Sequence, residues 1–263
     1  MIPYFRPPAI DLRILQIEPF GIMTAAGVLL GALLLSVAAK REGRDPAPLQ
    51  DMLLWGLGGG VIGGHLVHIF LYHPEELARG PLQILRVWDG LSSMGGLLGG
   101  VAASLIFFRR HQLRVTDYSD ALAMALAPAW GVARIGCFLV HDHPGVRTNF
   151  FLAVNFPPYV YPGGPRHCLG LDEALVLFSL AAILWTLHAR GALKGRLLAL
   201  LAVSYGTIRF FLDFLRARDL PYIDARYFGL TPAQYIVIAV VAWGVYALVR
   251  NSERTTQERR AAT

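Results

Sequence analysis

Charge is what this chain is short of. Lys, Arg, Asp and Glu make up 16% of its 263 residues, where a soluble globular domain carries about 25%. The deficit runs the whole length, which excludes a soluble enzyme of ordinary composition. Cysteine is scarcer still. Cys137 and Cys168 are the two in the chain, and they form no metal-ligand pattern. Each reads first as a small buried apolar residue, although an outer compartment would permit a disulfide between them. No cleavable leader is expected, because MIPYFRPPAIDLRILQIE has no apolar central stretch and no small-residue cleavage site. The net charge of +6 is no nucleic-acid signal, since the basic residues fall in short clusters between apolar runs.

What fills the chain instead is apolar sequence, 55% of it. A membrane-spanning helix needs about 20 mostly apolar residues. Seven stretches qualify, approximately 19–39, 50–72, 92–108, 118–140, 171–189, 196–215 and 231–249. The third is short, and the sixth contains Arg209 and Asp213. The expected architecture is an all-α polytopic membrane protein forming a single integral membrane domain. Residues 1–18 precede the membrane core at 19–250, and 251–263 form a tail. Alternate connections are consistently basic: Lys40, Arg41 and Arg44; Arg109, Arg110 and Arg114; Arg190, Lys194 and Arg196; and the run from Arg250 onward. Lysine and arginine bias marks cytoplasmic loops. The N-terminus is therefore expected outside and the C-terminus inside. The Pro-, Gly- and aromatic-rich segment 141–170 then forms an outer loop or small cap, with a short hairpin around FFLAVNF. Its aromatics either lie at headgroup level or pack on one another. Pro157, Pro158 and Pro162 disfavour a helix there.

Glycine gathers at 56–64, GLGGGVIGG, and at 95–100, GGLLGG. Small residues let membrane helices approach closely, and the first cluster reads as packing. For 90–96, GLSSMGG, a loop entering the membrane stays open, because Ser92 and Ser93 precede Gly95 and Gly96.

The informative charges are those embedded in apolar sequence. Arg134 ends a hydrophobic run that opens at once into His141, Asp142 and His143. An arginine at the centre of a membrane helix costs roughly 2.5–3.5 kcal/mol, so it normally faces a protein interior or a wet cavity. The bland alternative is a side chain reaching to the headgroups from the helix end. Arg209, Asp213 and Arg216 are spaced i, i+4 and i+7, on one helix face. Arg209 and Asp213 can pair along the helix, and a purely structural ion pair is the competing reading. Guanidinium groups bind phosphate oxygens bidentately, and a histidine or aspartate can take a proton from a nucleophile. Together these features suit an anionic lipid handled at the outer leaflet.

Four segments resemble the prolipoprotein diacylglyceryl transferase family. They are Arg134-Ile135-Gly136-Cys137-Phe138, Arg166 to Glu173 (RHCLGLDE), Arg209 to Arg216 (RFFLDFLR), and Trp88 to Gly96 (WDGLSSMGG). The match runs in order from about residue 9 to 250. The resemblance implies transfer of a diacylglyceryl group from phosphatidylglycerol to the lipobox cysteine of a prolipoprotein in the bacterial inner membrane. Arg134 and Arg209 would bind the phosphate, with Asp213 holding Arg209. Arg216, Arg166, His167, Gly95 and Gly96 are the further substrate-binding candidates, and His141, Asp142 and His143 the catalytic ones. The expected partners are phosphatidylglycerol, the lipobox segment and membrane lipids, with no nucleic acid, cofactor or metal.

The chain also departs from the family pattern. Met94 stands where the family has a histidine, Ala25 aligns with a family tyrosine, Cys137 replaces an asparagine, and Val140-His141-Asp142 replaces Asn-Gly-Glu. A transferase whose base is His141, Asp142 or His143 is the first reading. A lipid-binding relative with lost or altered activity is the second, and a small-anion channel or transporter the third. Among the other histidines, His65 and His68 are read as non-metal positions, His73 as lying at the membrane interface, and His111 and His188 as structural.

Overall fold

The computed structural model describes the backbone of all residues except 12, 14, 15, 73, 75–79, 88–89, 162, 221–225 and 262–263, and side chains other than those of 71, 72, 81, 93, 94 and 251–261 as well. The readings placed on Trp88, Asp89, His73, Pro162 and the Met94 side chain lie outside the described residues.

The described residues form seven long helices: α1 (Pro19–Arg41), α2 (Ala47–Val67), α3 (Ser93–Arg110), α4 (Val115–Val140), α5 (Leu169–Ala189), α6 (Leu197–Leu212) and α7 (Pro232–Ala261). The chain is an all-α polytopic membrane protein. Six of these helices, all but α3, carry windows long and apolar enough to cross a membrane. Their outward faces are apolar, with Leu29, Leu33, Ile62, Phe211 and Tyr246 among many large exposed side chains. In water such a surface would be an aggregation hazard, whereas lipid covers it at no cost.

Contacts divide the chain into two units, 35–118 and the remainder. In the first, α2 and α3 run antiparallel at glycine spacing. A Cβ at Gly63 would lie 2.6 Å from the Gly95 carbonyl and 2.7 Å from Gly99 Cα, so only glycine permits this approach. The irregular residues ahead of α3 pack back against α2, with Ser92 N–H donating to the Gly64 carbonyl at 3.0 Å; α3 itself starts at Ser93, and the Ser92 hydroxyl accepts the Gly95 N–H at 3.4 Å as its N-cap.

In the second unit, Asp120 of α4 accepts backbone N–H bonds from Gly195 (2.6 Å) and Leu197 (3.0 Å), capping the start of α6. The segment between α4 and α5 folds as a cap. Its strands β4 (Pro144–Arg147), β5 (Val154–Asn155) and β6 (Arg166–Cys168) join β1 (Ile2–Pro3) in the order β1-β5-β6-β4. A separate antiparallel pair, β2 (Ile10–Asp11) and β3 (Gln16–Ile17), lies in the N-terminal segment. The local hairpin expected at FFLAVNF does not form. Its strand β5 pairs instead with β1, in parallel, and with β6. Several of the cap's aromatics pack on one another, Phe150 on Phe151 and Phe156 on Tyr161; Phe156 is buried with Val154 and Cys168, while Phe151 and Tyr159 are exposed.

Candidate active site

Glu173, just past the first turn of α5, has no solvent exposure. Its carboxylate draws in two arginines from different helices. Arg134 Nε of α4 lies 2.9 Å from Oε2, and Arg209 Nε of α6 lies 3.3 Å from Oε1. Neither Arg134 Nε nor Glu173 Oε1 makes a directed hydrogen bond, so these are charge contacts and not forked pairs. The Tyr205 hydroxyl donates to Oε2 at 3.0 Å.

The network continues through Arg209 NH1 to Asp213 Oδ1 at 2.7 Å, the i, i+4 pair expected from the spacing. Arg216 Nε reaches the same oxygen at 2.6 Å. Thr231 Oγ1 donates to the other oxygen of Asp213, and Arg226 NH2 donates to the Asp213 backbone carbonyl at 3.3 Å. Thr231 is also the N-cap of α7. It exchanges bonds with Gln234, accepting from Gln234 N at 3.3 Å and giving its own N–H to Gln234 Oε1 at 2.9 Å. That is a capping box, here welded to the ion network. Three guanidiniums therefore meet two carboxylates, and Arg226 stands against the backbone beside them. The positive charge gathers around buried Glu173, Arg209 and Asp213, where an anion is attracted far more strongly than in water.

A second cluster abuts the first. Arg134 NH1 donates to Cys137 Sγ at 3.5 Å. Sγ, a carboxylate oxygen of Asp142 and a ring nitrogen of His143 all lie within 4.8 Å of one another, with His143 Nδ1 3.2 Å from Asp142 Oδ1.

His141 causes that juxtaposition. It takes a left-handed conformation, φ 54°, which ends α4 and turns the chain back; histidine is among the residues enriched there. Its own side chain points elsewhere, into the cap. Nε2 lies 2.9 Å from the Phe5 carbonyl and Nδ1 3.8 Å from Cys168 Sγ. The rings of Tyr4, Phe5, Phe138 and Phe156 enclose it. Burial lowers its pKa, against the opposing pull of the Phe5 carbonyl. Burial likewise pushes the Cys168 thiol up to about 12. Both cysteines are buried free thiols.

Other sequence candidates fall outside these clusters. Arg166 is fully buried in the cap and forks onto Asp219, at 2.8 and 2.7 Å, while giving a further bond to the Gly145 carbonyl. Those bonds hold the Asp219 carboxyl at about 2. His167 pairs with Asp172 at 3.1 Å and stacks on Phe150. Gly95 and Gly96 face the α2 backbone. His65 sets its two nitrogens against the Gly90 and Gln83 carbonyls, at 3.2 and 3.3 Å.

Glu173, Tyr205, Arg226 and Thr231 were not among the site residues that the sequence suggested. An acid at the start of an apolar run, and Thr231-Pro232-Ala233-Gln234 ahead of another, were the available signals.

The sequence pattern of the prolipoprotein diacylglyceryl transferase family matches residues 7–250. The phosphatidylglycerol–prolipoprotein diacylglyceryl transferase of Chromohalobacter salexigens is 31% identical over 263 residues, covering 98% of this chain and 97% of that protein. The protein of the same name from Nitratidesulfovibrio vulgaris is 32% identical over 259 residues, covering 95% of each. That of Nitrosospira multiformis is 31% identical over 252 residues, 94% of this chain and 86% of the relative.

Proposed function

The chain belongs to the prolipoprotein diacylglyceryl transferase family, and from that premise we propose that it moves the diacylglyceryl group of phosphatidylglycerol onto the cysteine of a prolipoprotein lipobox, as a multi-pass protein of the bacterial inner membrane. The observation that carries this reading is the network of Arg134, Arg209, Arg216 and Arg226 around buried Glu173 and Asp213. It is a cationic cluster held by apolar helices, suited to a phosphate joined to a lipid.

In this reading Arg134 and Arg209 hold the phosphate. Their contacts to Glu173 are not directed forks, so donor edges can turn to phosphate oxygens. As the C–O bond to phosphate breaks, charge builds on the departing oxygen, and preorganised guanidiniums stabilise it. Glu173, Asp213 and Arg216 position the two arginines. The acceptor thiol, with an ordinary pKa of about 8.5, needs activation. That role falls to the Cys137–Asp142–His143 cluster beside Arg134. His141 anchors the turn that brings the cluster together, its nitrogens being engaged in the cap.

The test is incubation of the purified protein with phosphatidylglycerol and a lipobox peptide, followed by mass spectrometry. The expected product is a diacylglyceryl thioether on the peptide cysteine, absent with Arg134→Ala or Arg209→Ala. A folded protein that binds phosphatidylglycerol yet yields no thioether would refute the reading and favour a lipid-binding relative.

A further inference from the structure

The ion network does not balance. Glu173 and Asp213 bring two negative charges, and Arg134, Arg209, Arg216 and Arg226 bring four positive ones. The acids that adjoin it along the chain or in the cap are committed elsewhere. Asp142 faces His143 at 3.2 Å, Asp172 faces His167 at 3.1 Å, and Asp219 is forked by Arg166 and approached by Arg147 at 3.4 Å.

Arg226 is where the imbalance falls. Each of the other three arginines lies 2.6–2.9 Å from a carboxylate oxygen. Among the described residues, Arg226 has neutral acceptors alone: NH1 donates to the Gly229 carbonyl and NH2 to the Asp213 carbonyl, both at 3.3 Å. Its Nε is buried and has no acceptor. Bonds to neutral carbonyls are weaker than those to an anion, and a buried donor without an acceptor costs free energy that an arriving anion returns. The backbone that carries the side chain is fixed. Tyr227 and Leu230 exchange N–H bonds at 2.8 and 3.0 Å around Phe228 and Gly229, whose φ angles of 49° and 82° are left-handed. The Tyr235 hydroxyl of α7 donates to the Tyr227 carbonyl at 2.7 Å. The guanidinium can therefore change acceptors while its Cα stays in place.

We propose that Arg226 meets the second negative charge of the phosphate as it departs, so that the site fits glycerol phosphate, the product, better than phosphatidylglycerol. This deepens the transferase reading and rests on it for the identity of the anion. The reaction creates the charge. An electron pair of the acceptor thiolate forms the C–S bond at the glycerol carbon of the lipid. The C–O bond to phosphate breaks, and its electron pair stays on the phosphate oxygen. A thiolate and a phosphodiester monoanion thus become a neutral thioether and a phosphomonoester, which carries about −1.5 to −2 at pH 7. The surplus of two positive charges in the network, four less two, matches the later state. An interaction that strengthens only as charge develops raises the rate, whereas equal binding of both states does not. Arg134 and Arg209 hold the phosphate throughout, and Arg226 leaves its carbonyls for the oxygen on which the charge builds.

The experiment compares the wild-type chain in detergent with Arg226→Gln, Arg226→Lys and, as a control, Arg218→Gln. Exposed Arg218 lies on the same connection and has no part in the network. Two quantities are read: steady-state transfer from phosphatidylglycerol to a lipobox peptide, and binding of glycerol phosphate, both as an inhibitor and by its thermal stabilisation of the protein. Arg226→Gln should lower kcat and weaken glycerol phosphate binding by about tenfold each, the scale of one hydrogen bond to a charged group, with the KM for phosphatidylglycerol changed less than about twofold. Arg226→Lys should recover part of both losses, and Arg218→Gln should change neither. A normally melting Arg226→Gln protein with unaltered glycerol phosphate binding would overturn the proposal. So would a KM that rises as much as product binding weakens, since that is equal binding of both states. Should Arg226→Gln melt early, Arg226→Lys decides: product binding restored with the charge supports the proposal, and binding as weak as in Arg226→Gln overturns it. Thioether formation by the wild type beside unaltered product binding in Arg226→Gln would leave the transferase standing and remove this role. A wild type that forms no thioether would refute the transferase reading, while glycerol phosphate stabilisation and its loss in Arg226→Gln would still report on Arg226.

Discussion

Glu173 is the residue on which two arginines depend. Replacing it with Gln leaves Arg134 and Arg209 buried beside each other with their shared counter-charge gone. Breaking a buried ion pair from one side costs about 3–5 kcal/mol. Glu173→Gln should therefore lower the melting temperature in detergent, and added inorganic phosphate should recover part of the loss by supplying the missing negative charge. An unchanged melting temperature would show that Glu173 is not the hub. Arg209 answers a different question. Arg209→Lys keeps the charge but loses the planar fork, so transfer should fall about 100-fold, the scale for removing one oriented donor to a developing anion. Rates with phosphatidylglycerol and lipobox peptide measure this. The arginines were legible in the sequence because a charge inside an apolar run has no cheap explanation. Glu173 was not, because it follows Asp172 at a helix start, where acids commonly offset the helix dipole. His141 was misleading for the opposite reason. Its neighbours Asp142 and His143 made it look like part of one acid/base group, while its backbone conformation, invisible in the sequence, sends its ring the other way.

At the scale of elements, the cap and the α2–α3 pair each hang on a feature that can be changed alone. In the cap, Arg166 forks onto Asp219, whose carboxyl is held at about 2 against an ordinary value near 4. A carboxyl depressed in the folded state contributes stability that is complete above its ordinary pKa and disappears as pH falls through the depressed one. Acid melts should accordingly lose this contribution between about pH 4 and pH 2, and Asp219→Asn should remove that part of the pH dependence while lowering stability at neutral pH. In the helix pair, Gly63 faces Gly95 and Gly99 backbone. Gly63→Leu should splay the pair, with overpacking costs of about 1–3 kcal/mol or more, visible as earlier unfolding in a detergent titration. The glycine clusters were readable because small residues at membrane depth have few uses. The cap sheet was not: strands of two to four residues carry no periodicity, and β1 finds β5 across most of the chain.

For the whole molecule, orientation turns on whether α3 crosses the membrane. By composition it falls short of the six clear spans, because glycine and serine occupy much of its length. Its partner favours a crossing. Gly56 of α2 faces Gly100 and Ser104, Gly59 faces Gly99, and Gly64 faces Ser92, so α3 lies antiparallel along the depth that α2 traverses. Arg110, at its end, stacks over Trp55 of α2. An 18-residue helix is about 27 Å long, close to the roughly 30 Å hydrocarbon core. A helix fastened along a spanning neighbour can be less apolar, since glycine faces backbone and only its other side meets lipid. Seven crossings put the two termini on opposite sides, and six would put them on the same side. The basic connections at 40–44, 109–114 and 190–196 and the basic tail are cytoplasmic only in the seven-crossing arrangement. A green fluorescent protein fused after residue 263 should therefore fluoresce, and a single cysteine at exposed Ile10 of the N-terminal segment, in a Cys137→Ser, Cys168→Ser background, should react with a membrane-impermeant maleimide in intact spheroplasts. Fluorescence with a protected cysteine at residue 10 would place both termini on one side, remove α3 from the crossings and reverse the charge rule at the 40–44 connection.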